Sequence, residues 1–511
     1  AFSIIIIDEC HRSAWGKWSE VLKRNPNAIH LGLTATPRKL KTNKELPEEE
    51  SLISANNFNY FGEPVYEYTL VQAQEDGYLA ACEIVKRKAD IDNRVFTKQE
   101  ILDAKVTNIK TGLLLTEEEL RKDEYTGADF DDELFIALRT PAMCEDLFNQ
   151  LIENGGPEQK VIIFCNREIH ADRVVMYMNN LYTKWCKTNN RTIKEHYAFK
   201  CMGGPNGGAD MIEPMRGSGE RAFIACTVDL LEAGVDIERL NAVVFFRYLK
   251  SAIKFYQMVG RGTRIHEETK KYKFWLYDYT GVTDLFGTEF ISKPPSPREG
   301  GGGGTPGGEP WVVGEDGVLG EIPVVGIVKG FEVKVTPQGR FILGNRNGRD
   351  EAIPIDVYRN EIIQRVKSEA ENIDQFRQLW VETQKRQSLI KHIVDAKYSP
   401  EVIQDIDNMN EYDLFDFFCY YGYREKALTR EERGGLYIDE NKQWFEGIDK
   451  NAATILKMLG YQFALGGTNE LEKPTFWQVP QIKTAGGLNT LSKIGSPNDI
   501  IKEAKGRLFK I

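Results

Sequence analysis

Two adjacent acids, Asp8 and Glu9, follow a run of four isoleucines, Ile4 to Ile7, and precede Cys10 and His11. Such an apolar run suits a strand buried on both faces of a parallel sheet, and strands of that kind deliver polar residues at their carboxyl ends. There one carboxylate can hold Mg2+ while its neighbour orients or deprotonates a water, the division of labour that phosphoryl transfer needs. Alone, Asp-Glu is more often the start of a surface loop. A cationic counterpart occurs far downstream in Gln257-Met258-Val259-Gly260-Arg261-Gly262-Thr263-Arg264, where two arginines three apart share one side of a helical turn. Arg261 and Arg264 could neutralise charge building on a polyphosphate, although such a run by itself is usually a solvated helix end. Between these groups, Thr227 closes an apolar stretch and a segment through Gly234 ends at Asp236. A threonine at a helix N-terminus, beside free backbone N–H groups, suits a phosphate oxygen of nucleotide or nucleic acid. The usual phosphate cradle is missing: Gly16-Lys17 is followed by Trp18, and the Gly-rich stretch 203–219 has no Lys-Ser/Thr. What remains is half of a site.

The elements that must position these residues follow from the apolar pattern. Residues 1–78 read as the end of an α/β lobe, with a strand before Asp8, a short helix near 15–23 and a second strand at 29–33 leading to Thr34-Ala35-Thr36. Residues 79–290 alternate strands with helical patterns, as a second parallel lobe should. Its clearest units are 160–165 with a helix through 180, 222–226 with 228–232, and 242–246 with 252–259. The stretch 203–219 reads as a flexible connection. Residues 291–310 hold the five consecutive glycines 300–304 and five prolines, a composition that predicts a mobile linker. Residues 311–352 read as a small β element, and 353–511 as helical, with apolar recurrences at Ile362, Val366, Ile373, Phe376 and Trp380. The aromatic segment 412–423 is expected in the core rather than on a base-stacking surface.

The 511 residues are 41% hydrophobic and 28% charged with a net charge of -10, so no global basic field draws the chain to nucleic acid and any contact must be local. Eight scattered cysteines without a Cys-x-x-Cys pair, and six histidines, argue against zinc and against a disulfide framework and fit the cytoplasm. No apolar run reaches membrane-span length, so no membrane partner is expected. A beginning in mid-sheet reads as a truncated piece.

In order and rough spacing, Asp8-Glu9-Cys10-His11, Thr34-Ala35-Thr36 and the segments 161–166, 227–236 and 257–264 resemble motifs II to VI of superfamily 2 helicases. Finer similarity lies in Tyr60-Phe61-Gly62-Glu63-Pro64-Val65-Tyr66, Glu75-Asp76-Gly77-Tyr78-Leu79-Ala80 and Gly260-Arg261-Gly262-Thr263-Arg264-Ile265. Together these resemble the restriction (R, motor) subunit of type I restriction-modification systems. Leu428-Thr429-Arg430-Glu431-Glu432-Arg433 and Gly486-Gly487-Leu488-Asn489 resemble that family's C-terminal region.

The resemblance implies an α/β fold of RecA-like helicase lobes, the first partial and the second complete, followed by the linker and a mainly α-helical C-terminal domain. It implies ATP and Mg2+, with Asp8 on the metal, Glu9 activating water, and His11 and Thr36 coupling the nucleotide to DNA. Arg261 and Arg264 would be arginine fingers, and Thr36, Gly234, Asp236, Gln257 and Gly260 would line the nucleotide cleft. Asn166, Arg167, Thr227 and Ser251 are the candidates for nucleic-acid contact. The implied partners are double-stranded DNA and the methyltransferase and specificity subunits of a type I complex. Without the phosphate loop, this piece is not expected to hydrolyse ATP alone. Two rivals stay open: another superfamily 2 DNA helicase, and a non-catalytic assembly module acting through the helical tail.

Overall fold

The fold is that of a computed structural model describing residues 2–8, 10, 19–34, 60–62, 64–109, 111, 113–202, 208–228, 236–249, 252–285, 326–329, 331–346, 349–396 and 398–510. The chain forms two units, Ala1–Ala352 and Ile353–Ile511. The expected linker at 291–310 lies outside the described residues.

β1 (Ile4–Ile7) and β2 (Ile29–Gly32) pair in parallel, Ile4 opposite Ile29 and Ile7 opposite Gly32, with helix Ser19–Lys23 between them in sequence. The four isoleucines are not buried on both faces as their run suggested: Ile4 and Ile6 are 57% and 63% exposed, and Ile29 opposite is 67% exposed. In this two-stranded sheet alternate side chains point to opposite faces, and only one face is partly covered.

Among the described residues thirteen further strands follow. They are β3 (Ala81–Ala89), β4 (Phe96–Thr97), β5 (Thr107–Asn108), β6 (Glu124–Tyr125), β7 (Leu134–Ile136), β8 (Lys160–Phe164), β9 (Ala198–Lys200), β10 (Ile224–Thr227), β11 (Leu240–Phe245), β12 (Lys273–Asp278), β13 (Gly326–Val328), β14 (Val335–Arg346) and β15 (Arg349–Pro354). Eight form one mixed sheet in the order β15-β14-β3-β12-β11-β8-β10-β9. From β3 to β9 every pairing is parallel, so six strands share one amino edge and one carboxyl edge. Alternate residues feed separate cores. Ile162 and Phe164 pack with Phe255 and Met258 of helix Ala252–Val259, whereas Val161 and Ile163 pack with Leu147, Val174 and Met178 of helices Arg139–Glu153 and Glu168–Thr188. Double-sided burial explains why these strands read as unbroken apolar runs.

Three expectations need correction. Of the small β element expected at 311–352, the described strands join other sheets: β14 runs antiparallel along β3, and β13 lies between β5 and β7. Residues 90–136 are not part of the strand–helix alternation but an insertion with its own core, including Phe96, Ile101, Tyr125, Phe130 and Leu134, to which Val328 of β13 is added. Within the Gly-rich stretch, Ile212–Gly217 is a helix that buries Met215.

The second unit is helical. Helices Ile355–Glu369, Ile373–Val381, Leu414–Phe418, Arg430–Glu440, Lys450–Glu472 and Pro497–Leu508 are its main elements, with Ile362, Val366, Phe376 and Trp380 buried as the recurrence predicted. Phe415, Phe417 and Phe418 are core residues, but Tyr420 of the same aromatic segment is half-exposed, contrary to the expectation for 412–423 as a whole. Arg433 donates to both Asp416 oxygens, at 2.8 and 2.7 Å, and to the carbonyls of Leu508 and Lys510, tying the last helix down. Among the described residues no helix is long and apolar enough to cross a membrane.

Candidate functional site

Asp8 directly follows β1, at the carboxyl end of that strand. The Leu33 amide donates to Ile7 O at 2.8 Å and the Cys10 amide to Leu33 O at 3.0 Å, which fixes the chain on both sides of Asp8. A Cβ on Gly32 would lie 2.9 Å from Cys10 Sγ and 3.1 Å from the Phe61 ring, so only glycine lets the segment after Asp8 close onto β2. Among the described residues no three His, Cys, Asp or Glu side chains are grouped to hold a metal. Mg2+ bound to a polyphosphate needs only one or two carboxylates besides phosphate and water oxygens, and Asp8 is a donor of that chemistry. Glu9, His11, Thr36, Gly234 and Ser251 lie outside the described residues.

The remaining expected site residues separate onto the two edges of the eight-stranded sheet. On the amino edge, helix Ala252–Val259, which carries Gln257, ends in a tight turn: the amides of Gly260, Arg261 and Gly262 donate to Tyr256 O, Met258 O and Val259 O. The turn is anchored from the sheet side. Ala80, just before β3, donates its amide to Thr263 O at 2.7 Å, the Thr263 hydroxyl donates to Gly260 O at 2.9 Å, and Lys271 Nζ donates to Gly262 O at 2.8 Å and to Arg264 O. A Cβ on Gly262 would stand 2.2 Å from the Phe274 ring, so the turn lies directly on β12. Arg264 points outward, 58% exposed, with Nε 3.2 Å from Oδ1 of Asp236. Asp236, four residues before β11, is held through its carbonyl by Arg216 Nε at 2.9 Å. An exposed ion pair of this kind is worth at most about 1 kcal/mol, so Arg264 can exchange it for a phosphate. Burial pushes the Lys271 amine down to about 7, against the opposing pull of Asp236 and Glu238.

On the carboxyl edge stand Asn166 and Arg167, just past β8, and Thr227, the last residue of β10. Thr227 is fully buried, and its hydroxyl has no hydrogen-bond partner among the described residues. Asn166 and Arg167 are engaged within the chain: Asn166 Nδ2 donates to Phe130 O at 3.0 Å, and Arg167 Nε pairs with Asp132. They latch the insertion. Behind them Arg139, wholly buried, takes both Asp92 oxygens, at 2.6 and 2.9 Å, together with Asp131. Thr140 and Tyr248 add hydroxyl donors to Asp131 and Asp92 at 3.1 and 3.3 Å. His170 lies 3.8 Å from Asp131, and burial holds its pKa down at about 4, so it is neutral at pH 7. An open 480 Å³ cavity on the same edge is lined by Lys86, Arg87, Lys88, Tyr248, Thr280 and Gly281 among others.

Lys271, Arg139, Asp92 and Asp131 escaped the sequence reading. Lys270-Lys271 looks like a solvated pair, and the partners of Arg139 are 8 and 47 residues away with no local pattern joining them.

Three domain families match the chain: SWI2/SNF2 ATPase at residues 2–119, helicase conserved C-terminal domain at 143–266, and EcoEI R protein C-terminal at 357–508. The type I restriction enzyme EcoAI endonuclease subunit of Escherichia coli is 27% identical over 558 aligned residues, covering all of this chain and 64% of that protein. The EcoKI endonuclease subunit of Escherichia coli strain K12 is 30% identical over 270 residues, 51% of this chain and 20% of that one. This chain therefore spans less than two thirds of either relative. A solved fragment described as an HsdR subunit of a type I restriction enzyme from Vibrio vulnificus YJ016 aligns at 25% identity over 57% of this chain and 47% of its own, with a TM-score of 0.39. On its motifs and these sequence matches, the chain is a homologue of the type I restriction enzyme endonuclease (R) subunits and carries their superfamily 2 helicase region.

Proposed function

We propose that this chain is the part of an ATP-driven double-stranded DNA translocase that runs from the catalytic acids to the C-terminal domain. The unit 1–352 then comprises the end of one RecA-like lobe and a second lobe built on the eight-stranded sheet. Asp8 holds Mg2+ on the polyphosphate, and Glu9 activates the attacking water. Thr36, Gly234, Asp236, Gln257 and Gly260 line the nucleotide cleft, with His11 and Thr36 linking it to DNA contact. Arg264 leaves Asp236 for the γ-phosphate, and Arg261 joins it in stabilising the transition-state charge. Ser251 contacts the DNA backbone, while Thr227, whose side chain is buried, shapes the end of β10. The helical unit 353–511 docks on the methyltransferase and specificity subunits.

The observation that supports this most is the amino-edge turn, whose backbone is fixed from within the sheet while the Arg264 guanidinium stays exposed beside one weakly held carboxylate. In the intact parent polypeptide, Arg264→Ala should slow DNA-stimulated ATP hydrolysis by roughly 10³-fold with DNA affinity little changed. Loss of DNA binding with turnover preserved would make Arg264 a DNA-backbone contact and reject this assignment.

A further inference from the structure

We infer that Lys271 is the positioning residue of the arginine turn, holding the backbone of Gly262 and Arg264 from inside the sheet so that the guanidinium of Arg264 is presented in one place. The inference rests on the reading of Arg264 as a phosphate-facing group.

Helix Ala252–Val259 stops just before the turn, and the last carbonyls of a helix and its exit turn have no partners within the helix. Here the carbonyls of Gly260, Gly262, Thr263 and Arg264 are taken by groups on the inner side: Gly260 O by the Thr263 hydroxyl, Thr263 O by the Ala80 amide, Gly262 O and Arg264 O by Lys271 Nζ. A lysine that is 5% exposed is unusual, because taking an amine out of water is unfavourable unless acceptors replace the lost hydration. Two backbone carbonyls do so. Its own backbone is also fixed: the Lys271 amide donates to His266 O at 3.0 Å and its carbonyl accepts from the His266 amide at 3.2 Å. Lys270 turns the chain in the left-handed region, φ 53°, to bring that bridge about. Lys271 thus spans from the start of β12 to both residues flanking Thr263, while the side chain of Arg264 leaves on the opposite, solvent side. The two depressed-pKa N–H donors of a neutral amine suffice for both acceptors, so the clamp does not depend on a charge that burial disfavours.

The test uses the intact parent polypeptide with DNA, comparing Lys271→Met, Lys271→Gln, Arg264→Ala and the double variant Arg264→Ala/Lys271→Met. Methionine keeps the apolar stem and removes the donors; glutamine keeps two N–H donors. A displacement of about 1 Å at a reacting group costs on the order of 10²-fold, so Lys271→Met should lower kcat by roughly 10- to 100-fold, with KM for ATP and Kd for DNA within about twofold of wild type. Lys271→Gln should be faster than Lys271→Met, and the double variant no slower than Arg264→Ala alone, because a clamp has nothing left to position. Should Lys271→Met lose cooperative unfolding, Lys271→Gln takes its place in the same double comparison. Wild-type kcat in both Lys271 variants, or a double variant slowed by the product of the single factors, overturns the inference. Wild-type kcat in Arg264→Ala overturns instead the arginine reading on which it rests.

Discussion

The two edges of the eight-stranded sheet use arginine in opposite ways. At the carboxyl edge Arg139 is sealed inside, its guanidinium committed to Asp92 and Asp131, and Arg167 is spent on Asp132. At the amino edge the backbone around Arg264 is held from inside and the guanidinium is left outside, paired with a half-exposed acid. The first arrangement joins an insertion to a scaffold. The second keeps a cation available, because an exposed pair is exchanged at little cost while a buried one is not. Six strands that run one way make this separation easy: the loops at either end of them can be tuned independently.

The largest expected effect that sharpens this contrast is kinetic. Arg264→Ala should cost roughly 10³-fold in ATP turnover, about 4 kcal/mol of barrier, while changing the unfolding free energy by less than about 1 kcal/mol. Arg139→Met should do the reverse. It leaves Asp92 and Asp131 buried without their cation, a change worth about 3–5 kcal/mol of stability, read as a fall in the urea midpoint at unchanged m-value. An Arg139→Met protein as stable as wild type would remove the structural half of the contrast.

A smaller effect is a pH slope to which two buried lysines of the amino edge contribute, along with Lys505 of the helical unit, which burial, with Arg386 nearby, pushes down to about 8. Burial pushes Lys271 down to about 7 and, with Arg239 and Lys194 nearby, Lys160 to about 8; Lys160 donates to Arg221 O and Ala222 O at 3.0 and 2.8 Å. In the unfolded chain both keep a proton to about pH 10.4, so between pH 7 and 8 the unfolded state binds more protons and stability rises with pH, by up to about 1.4 kcal/mol per unit for each lysine. As pH falls through the folded values that stability is lost. Above about pH 8.5 the sign turns, since unfolded cysteines ionise while buried thiols such as Cys82 and Cys144 are held protonated. Chemical denaturation at pH 7.0 and 8.0 measures the slope, and Lys271→Met should flatten it; an identical slope in that variant would show that Lys271 does not titrate there.

The smallest effect is at Arg167. Its pair with Asp132 is partly exposed, so Arg167→Ala should cost no more than about 1 kcal/mol in stability and leave DNA affinity within a few-fold. A tenfold or greater loss of DNA affinity would mean that the carboxyl edge also keeps a cation for an outside ligand, and the contrast between the edges would fail.

Legibility from sequence followed the same physics. β8, β10 and β11, and the helices Glu168–Thr188 and Ala252–Val259, were readable because strands buried on both faces are apolar throughout and amphipathic helices repeat. The helical unit was readable for the same reason, down to Phe415, Phe417 and Phe418 in its core. β14 was not recognised as part of the large sheet. Its Pro337 and Gly339 look like a turn, yet they sit at a register shift against β3, where a bulge tolerates a residue without an N–H and a glycine at φ 124°. In the candidate site, Asp8, Asp236, Arg261 and Arg264 stand out in the sequence because phosphoryl-transfer chemistry restricts residue type, and their roles remain a proposal. Lys271 and Arg139 were not, because what they do depends on partners brought together only by the fold.

The place of β14 bears on the order in which the protein can be made. Glu83 of β3 is wholly buried and takes Arg340 of β14, at 2.9 Å from Nε, as its close partner, with Lys273 at 3.5 Å. Until residue 340 has left the ribosome, β3 is an open edge with an acid facing its interior and only one distant cation to balance it. Covering of the β3 edge therefore waits for a segment translated long after the strand it covers, and until then that edge stays exposed to pairing with other chains.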